Sequence, residues 1–233
     1  MKNKPSNRGG HGKTNSTKHG QEVLIDLGSV KLRGTLTGPD PSRGVVVFVQ
    51  GSGSGRLNPR NILVAHTLQK FCFATLLFDL LTEQEVDDPH RDVDTSRMAE
   101  RLDSVKEWVL RELGPDTIPV GYFGFGTGAA VALLAAAIFP EGVKAVVSRG
   151  GRPDLVAPHL SQVTVPTLLI VGGRDDLVLK LNRNAYTRLL CPKDFLIVPG
   201  ASHHFEEPGA WEDVAQWSAQ WFSKHLVRDL ELV

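Results

Sequence analysis

The chain has 233 residues, 41% of them hydrophobic and 22% charged, with 26 basic and 26 acidic side chains in balance. This usage excludes a disordered, collagen-like or coiled-coil protein, and the length suits one large domain. The longest nearly apolar run, Ala129 to Pro140, stops well short of the roughly 18 residues that a membrane span needs, so no membrane partner is expected. Two cysteines, Cys72 and Cys191, are too few for a disulfide scaffold and lack metal-site spacing. Reduced thiols in a cytoplasmic protein, with no metal and no cofactor, are the expectation.

Residues 1–20 carry Lys2, Lys4, Arg8, Lys13 and Lys18 and no acid. With neither the apolar core of a secretory signal nor an amphipathic import helix, they read as a disordered, solvated basic tail. Residues 21–233 read as a single domain, and nothing in that body has the pattern of a nucleic-acid-binding protein.

From Glu22 onward the pattern is regular. Val23, Ile25 and Leu27 alternate with polar residues, Gly28 and Ser29 supply a turn, and Val30 to Leu36 alternates again, which predicts an antiparallel hairpin. Val45 to Val49, Ala74 to Phe78, Val120 to Phe123, Ala145 to Val147, Thr167 to Val171 and Phe195 to Val198 are continuous apolar runs, as strands buried on both faces of a parallel sheet require. Helical stretches must lie between them. Met98, Leu102, Val105 and Val109 predict an amphipathic helix over 96–113, which Gly114 ends in a left-handed conformation. The stretch from Ala129 to Phe139 is apolar all round and predicts a buried helix. Trp211, Val214, Trp217 and Trp221 share one face of a C-terminal helix. The fold class that follows is α/β: a three-layer sandwich with a mainly parallel sheet, helices on both faces and an N-terminal antiparallel hairpin.

Ligands of such sheets sit in the loops beyond the carboxyl ends of the strands. One of these loops joins the run Val120 to Phe123 to the small-residue helix from Ala129, and it reads Gly124-Phe125-Gly126-Thr127-Gly128. This is the setting of the nucleophile elbow of α/β-hydrolases, G-x-S-x-G, with glycine at the apex. Asp175 after a later strand and His203 after the last one follow in the order elbow, acid, base that the fold uses.

Several further segments carry a resemblance. They are Gly51-Ser52-Gly53-Ser54 with Pro59-Arg60-Asn61, Asp79-Leu80-Leu81-Thr82, Gly121-Tyr122-Phe123-Gly124, Ser148-Arg149-Gly150-Gly151-Arg152-Pro153-Asp154, and Gly200-Ala201-Ser202-His203 with Phe205-Glu206-Glu207-Pro208-Gly209. Together they resemble the dienelactone-hydrolase-like family of α/β-hydrolases, from about Val45 to the last helix. The resemblance implies a serine hydrolase of carboxylic esters or lactones. The chain departs from the pattern at Gly126, in the nucleophile position, and at Gln50, where relatives often have histidine.

The resemblance implies Asp175 as the acid, favoured over Asp176, and His203 as the base, favoured over His204. An oxyanion hole would use the backbone N–H groups of Ser52 and Thr127. Arg149 and Arg152, with Arg56 and Arg60, are candidates to line the mouth and hold an anionic substrate, although internal pairing, for example of Arg152 with Asp154, is the favoured alternative. Asp79 to Thr82 is read as loop packing beneath the site. The segments Leu81 to Thr95 and Pro153 to Val165 are too short for a large lid, so an open mouth is expected. Glycine has no atom with which to attack, so hydrolysis is weak, lost or deliberately removed, or proceeds through a water that His203 deprotonates. The alternative is a non-catalytic module that binds a small ester, lactone or acyl ligand.

Overall fold

The computed structural model describes residues 18–50, 55–87, 94–114 and 118–226. Eight strands, β1 (Lys18–Asp26), β2 (Lys31–Gly38), β3 (Val45–Gln50), β4 (Ala74–Phe78), β5 (Val120–Phe125), β6 (Val143–Arg149), β7 (Thr167–Gly172) and β8 (Lys193–Val198), form one sheet. Their spatial order is β1-β2-β4-β3-β5-β6-β7-β8. The pairs β1–β2 and β2–β4 are antiparallel, and every other pair is parallel. The helices are α1 (Pro59–Lys70), α2 (Glu83–Asp87), α3 (Thr95–Leu113), α4 (Thr127–Ile138), α5 (Asp176–Arg188) and α6 (Ala210–His225), with a 3-10 segment at Pro153–Gln162. Side chains of α1 and α6 pack on one face of the sheet, and those of α3, α4 and α5 on the other. The three layers expected from the alternation of apolar runs are therefore present.

Burial explains the strand pattern. Every residue of β3, β4 and β7 is buried, because a helix layer covers each side of a parallel strand, so no polar alternation survives there. Helix α3 turns Met98, Leu102, Val105 and Val109 inward as its spacing requires, and the Asp94 carboxylate caps its start by accepting from the N–H groups of Ser96 (2.9 Å) and Arg97 (3.2 Å). Gly114 follows with φ +101° and ψ 125°, a positive φ but not the left-handed helical form expected of it. Helix α4 is buried all round, as an apolar sequence without a polar face must be.

Two differences from expectation have physical causes. Strand β1 begins at Lys18, inside the stretch read as tail, because pairing with β2 continues through an irregularity as far as Lys18 opposite Gly38. Backbone pairing on an edge strand needs no apolar alternation, so the sequence gives little sign of it. Helices α1 and α5 have no clean apolar stripe, since the inward faces carry Asn61 in α1 and Asn182 in α5. The Asn182 amide is satisfied in part, donating to the carbonyls of Gly151 and Val178 at 2.9 Å each.

A buried ion pair ties α3 to the loop after β4. Arg101 donates to both Glu85 oxygens (2.7 and 2.8 Å) and to the Leu80 carbonyl (2.8 Å). The guanidinium holds the Glu85 carboxyl at about 2, below its ordinary 4.5, against the opposing effect of burial. A depressed carboxyl stabilises the fold above its unfolded-state value and loses that contribution as pH falls through its folded one. Urea unfolding of the parent is therefore expected to lose on the order of 2 kcal/mol from this pair between pH 4.5 and 2. Glu85→Gln should be less stable at pH 7 and show a flatter acid limb; equal pH dependence of the two proteins would refute this account of the pair.

Candidate active site

The parallel strands all end at one rim of the sheet. There β5 stops at Phe125, Gly126 turns with φ 56° and ψ −128°, and α4 starts at Thr127. A backbone at positive φ is strained for any residue with a side chain, and glycine adopts it freely. A Cβ built on Gly126 meets nothing within 4 Å, so the apex faces open space. Two residues earlier the situation is reversed. A Cβ on Gly124 would lie 2.6 Å from the Cα of Ala129, because the first turn of α4 passes directly over the strand. One glycine of this turn is thus required by packing, whereas at the apex only the backbone angle favours it.

Asp175 follows β7 and the turn at Gly172-Gly173, and it is the N-cap of α5. Its Oδ1 accepts from the Val178 N–H (3.3 Å), and its Oδ2 lies 2.5 Å from Nδ1 of His203. An ionised carboxylate only accepts, so Nδ1 carries the proton and Nε2 is the basic nitrogen. The acid is nearly enclosed, with its side chain 13% exposed, while the imidazole is 45% exposed and reachable from solvent. Asp176 lies in the first turn of α5, and His204 stands edge-on to His203 with ring centroids 5.0 Å apart. The structure brings together Asp175 and His203 and not their neighbours.

The loop that carries His203 is tied at nearly every residue. Glu207 accepts from both the N–H (2.9 Å) and the Oγ (3.2 Å) of Ser202, and also pairs with Arg174. One carboxylate therefore holds the residue before His203 and the residue before Asp175. The Ser202 N–H is the main reason that the Glu207 carboxyl sits at about 2. The carbonyl of His204 accepts from Trp211 Nε1 (3.2 Å), and Glu206 pairs with Arg60 (3.1 Å). Phe205 is buried at φ 54°, an uncommon backbone for a non-glycine residue, held by its packing in the core beneath the loop.

Apex and base are linked through the loop after β6. The Gly126 carbonyl accepts from the Arg152 N–H (3.0 Å), and a Cβ on Gly150 would lie 3.7 Å from Phe205 and 3.9 Å from the His203 carbonyl. The chain after β6 thus touches the turn of residue 126 on one side and the loop of residue 203 on the other.

The arginines expected at the mouth are engaged within the protein. Arg152 makes a two-pronged pair with Asp154 (2.9 and 2.8 Å). Arg56 bridges Asp79 (3.3 Å) and Glu22 (2.9 Å), and the Asp79 Oδ1 also accepts the Arg56 N–H (2.9 Å). Asp79 therefore fastens the chain leaving the loop after β3. Arg149 is only 6% exposed, so it does not line an open mouth; burial lowers its guanidinium to about 9. Its partners are three rings, Phe125, Phe205 and Trp211, at 5.1, 5.0 and 4.4 Å. Desolvated cation–π contacts of roughly 2 kcal/mol each offset a burial penalty of several kcal/mol. Of the oxyanion donors, Thr127 heads α4, and Ser52 lies outside the described residues. Glu207, Arg174 and Trp211 were not singled out from sequence; only the acidic pair and proline following His203 pointed toward Glu207. Among the described residues no cluster of His, Cys, Asp or Glu is suited to a metal.

Comparison with known proteins agrees with this fold. The profile of the Dienelactone hydrolase family matches residues 32–225. A crystal structure of dienelactone hydrolase from Anabaena variabilis superposes with a TM-score of 0.84 at 46% identity, covering 88% of this chain and 98% of that one. Est1E from Butyrivibrio proteoclasticus has a TM-score of 0.74 at 15% identity, over 87% of this chain and 98% of its own, and shares the fold. A Mycobacterium tuberculosis protein named "Putative phosphoribosyl transferase" is 48% identical over 206 residues, which are 88% of this chain and 46% of that protein. The chain spans about half the length of the curated relatives it matches.

The packing at the elbow makes a direct prediction. Gly124→Ala forces a methyl group into the backbone of α4 and should cost about 3 kcal/mol in urea unfolding. A loss of under about 0.5 kcal/mol, the range of ordinary surface changes, would show that α4 does not press on β5 as described.

Proposed function

The chain belongs to the dienelactone hydrolase family, and we propose that it is a slow hydrolase of carboxylic esters or lactones whose serine-type nucleophile is replaced by Gly126. The observation that carries this reading is the Asp175–His203 hydrogen bond of 2.5 Å at the same rim of the sheet as an elbow whose apex is bare backbone facing open space. A base and its orienting acid are in place, and the atom that they would activate is not.

In the proposed mechanism a water occupies the space over Gly126. His203 Nε2 takes one proton from it as its oxygen bonds to the substrate carbonyl carbon. The carbonyl π electrons move onto oxygen, and that oxyanion is met by the Thr127 N–H and, as the sequence suggests, by Ser52. Collapse reforms the carbonyl and breaks the bond to the alkoxy group, which leaves with the proton held by the imidazolium. Asp175 keeps Nδ1 protonated throughout and stabilises the imidazolium between the two transfers. No covalent acyl intermediate forms. Hydrolases stripped of a triad member retain about 10³- to 10⁴-fold acceleration over water, which sets the scale expected here.

Small ester, lactone or acyl compounds are the partners we assign, and no nucleic acid or membrane. No helix of the described residues is long and apolar enough to cross a membrane, and the free thiols Cys72 and Cys191 suit the cytoplasmic location we propose. We assign no phosphoribosyl transfer to this chain: that name belongs to proteins about twice as long, of which this chain matches 46%. The second reading, a binder of the same ligands without turnover, is favoured by the absence of any attacking atom at the apex.

A paired assay separates the two. Against short-chain aryl esters and lactones, Gly126→Ser should be at least ~100-fold faster than the parent, since a missing serine nucleophile costs far more than that where it has been measured. His203→Ala should abolish turnover in both backgrounds. A serine variant no faster than the parent, together with saturable ligand binding, would refute the hydrolase reading and leave the binder.

A further inference from the structure

Arg149 lies on the α1–α6 face of β6, continuing the inward row of Ala145 and Val147. Its guanidinium is stacked among three rings that come from three different places. Phe125 is the residue before the elbow apex and pairs directly with Arg149 across β5 and β6, Phe205 follows His203 by two residues, and Trp211 begins α6. Among the described residues its side chain donates to the backbone carbonyl of His203 itself, at 3.5 Å, and its Nε has no partner. Among the described residues no ion pair joins it. A buried arginine without a carboxylate does not belong to an ordinary structural salt bridge, and its guanidinium contacts are to the elbow strand, to the segment that carries His203 and to the first turn of α6.

We propose that Arg149 is a positioning residue for the base: stacked between the elbow strand and the loop after β8, and holding the His203 carbonyl, it fixes the imidazole in register with Asp175 and with the apex at Gly126. The planar guanidinium suits the task because it presents a flat face to the rings and an edge N–H to the carbonyl at once. Arg60 also stands 5.9 Å from the Trp211 ring and reaches Glu206, so the same ring is linked to the far end of the loop. The role of His203 as base rests on the function proposed above; the geometric effect of Arg149 on His203 does not require turnover.

The test reads the tautomer of His203 by nuclear magnetic resonance of isotope-labelled histidine in the full chain. The eight histidines are resolved by comparison with His203→Gln. In the parent, neutral His203 should be the Nδ1–H tautomer, which Asp175 imposes, whereas a free imidazole favours Nε2–H. Arg149→Met should shift His203 to a mixture of tautomers. Arg149→Lys, which keeps the charge and gives up the planar fork, carries the same expectation if the methionine variant fails to fold. Lys106→Met removes a cation as deeply buried, on α3 at the opposite face, and should leave His203 unchanged. A His203 that remains wholly Nδ1–H in the folded Arg149 variants overturns the proposal, and so does an equal shift in Lys106→Met. Because no substrate is present, failure of Gly126→Ser to cleave esters would sink the hydrolase reading while leaving this result interpretable.

Discussion

The site depends on how β5 is allowed to meet α4. A strand buried on both faces must hand the chain to a helix that is itself buried, within a single residue, and the only way through is a backbone with φ 56° and ψ −128° at Gly126. From that turn the rest follows. Helix α4 is thrown back across its own strand so closely that Gly124 has no room for a methyl group, and the apex is left projecting at the rim of the sheet. The Gly126 carbonyl is then free to take the Arg152 N–H, which sets the path of the chain after β6. That path in turn brings Gly150 under the segment bearing His203.

His203 and Asp175 are held by means that do not involve the apex. Asp175 is needed where it is by α5, whose first turn it caps, and the same carboxylate has a second oxygen left for His203. A single group thus serves helix and dyad together. On the base side Glu207, Trp211 and Arg60 each bind a different residue of the six from Ser202 to Glu207, and the left-handed backbone at Phe205 is tolerated because its ring is fully enclosed. A loop fastened at this density loses little further entropy when a ligand arrives, which is the form preorganisation takes in a static structure.

How far the sequence could be read depended on whether a residue's role was local. The central strands were legible because two-sided burial leaves continuous apolar runs such as Val45 to Val49, and the elbow because a strand, a glycine turn and a small-residue helix are adjacent in the chain. Helices α1 and α5 were not, since Asn61 and Asn182 interrupt their inward stripes. The long first strand was not either, since edge pairing from Lys18 asks nothing of the side chains. For the site, Asp175 and His203 were recoverable from chain order and resemblance. Arg149 fits the favoured internal alternative, but its partners were not readable, because a sequence shows a cation and not the three rings, from residues 125, 205 and 211, that draw it inside. Ring and guanidinium meet only through tertiary structure, so no local signal marks them. Arg152 was readable in its favoured alternative, for Asp154 is two residues away.

A glycine at the apex is consistent with this distribution of forces. A Cβ at residue 126 would meet nothing within 4 Å, so glycine there gives up no packing at that atom and avoids a backbone strain of about 1–3 kcal/mol. Removing Asp175 would uncap α5, and removing Glu207 or Arg149 would release the segment after β8, so those groups cannot be shed without cost to the fold. The apex is thus the position where a side chain is cheapest to omit, and the residues that hold the surrounding loops are the most expensive to lose. Stability alone therefore favours the state seen here, with an intact framework around a bare apex, and chemistry is the only pressure that would put a hydroxyl back.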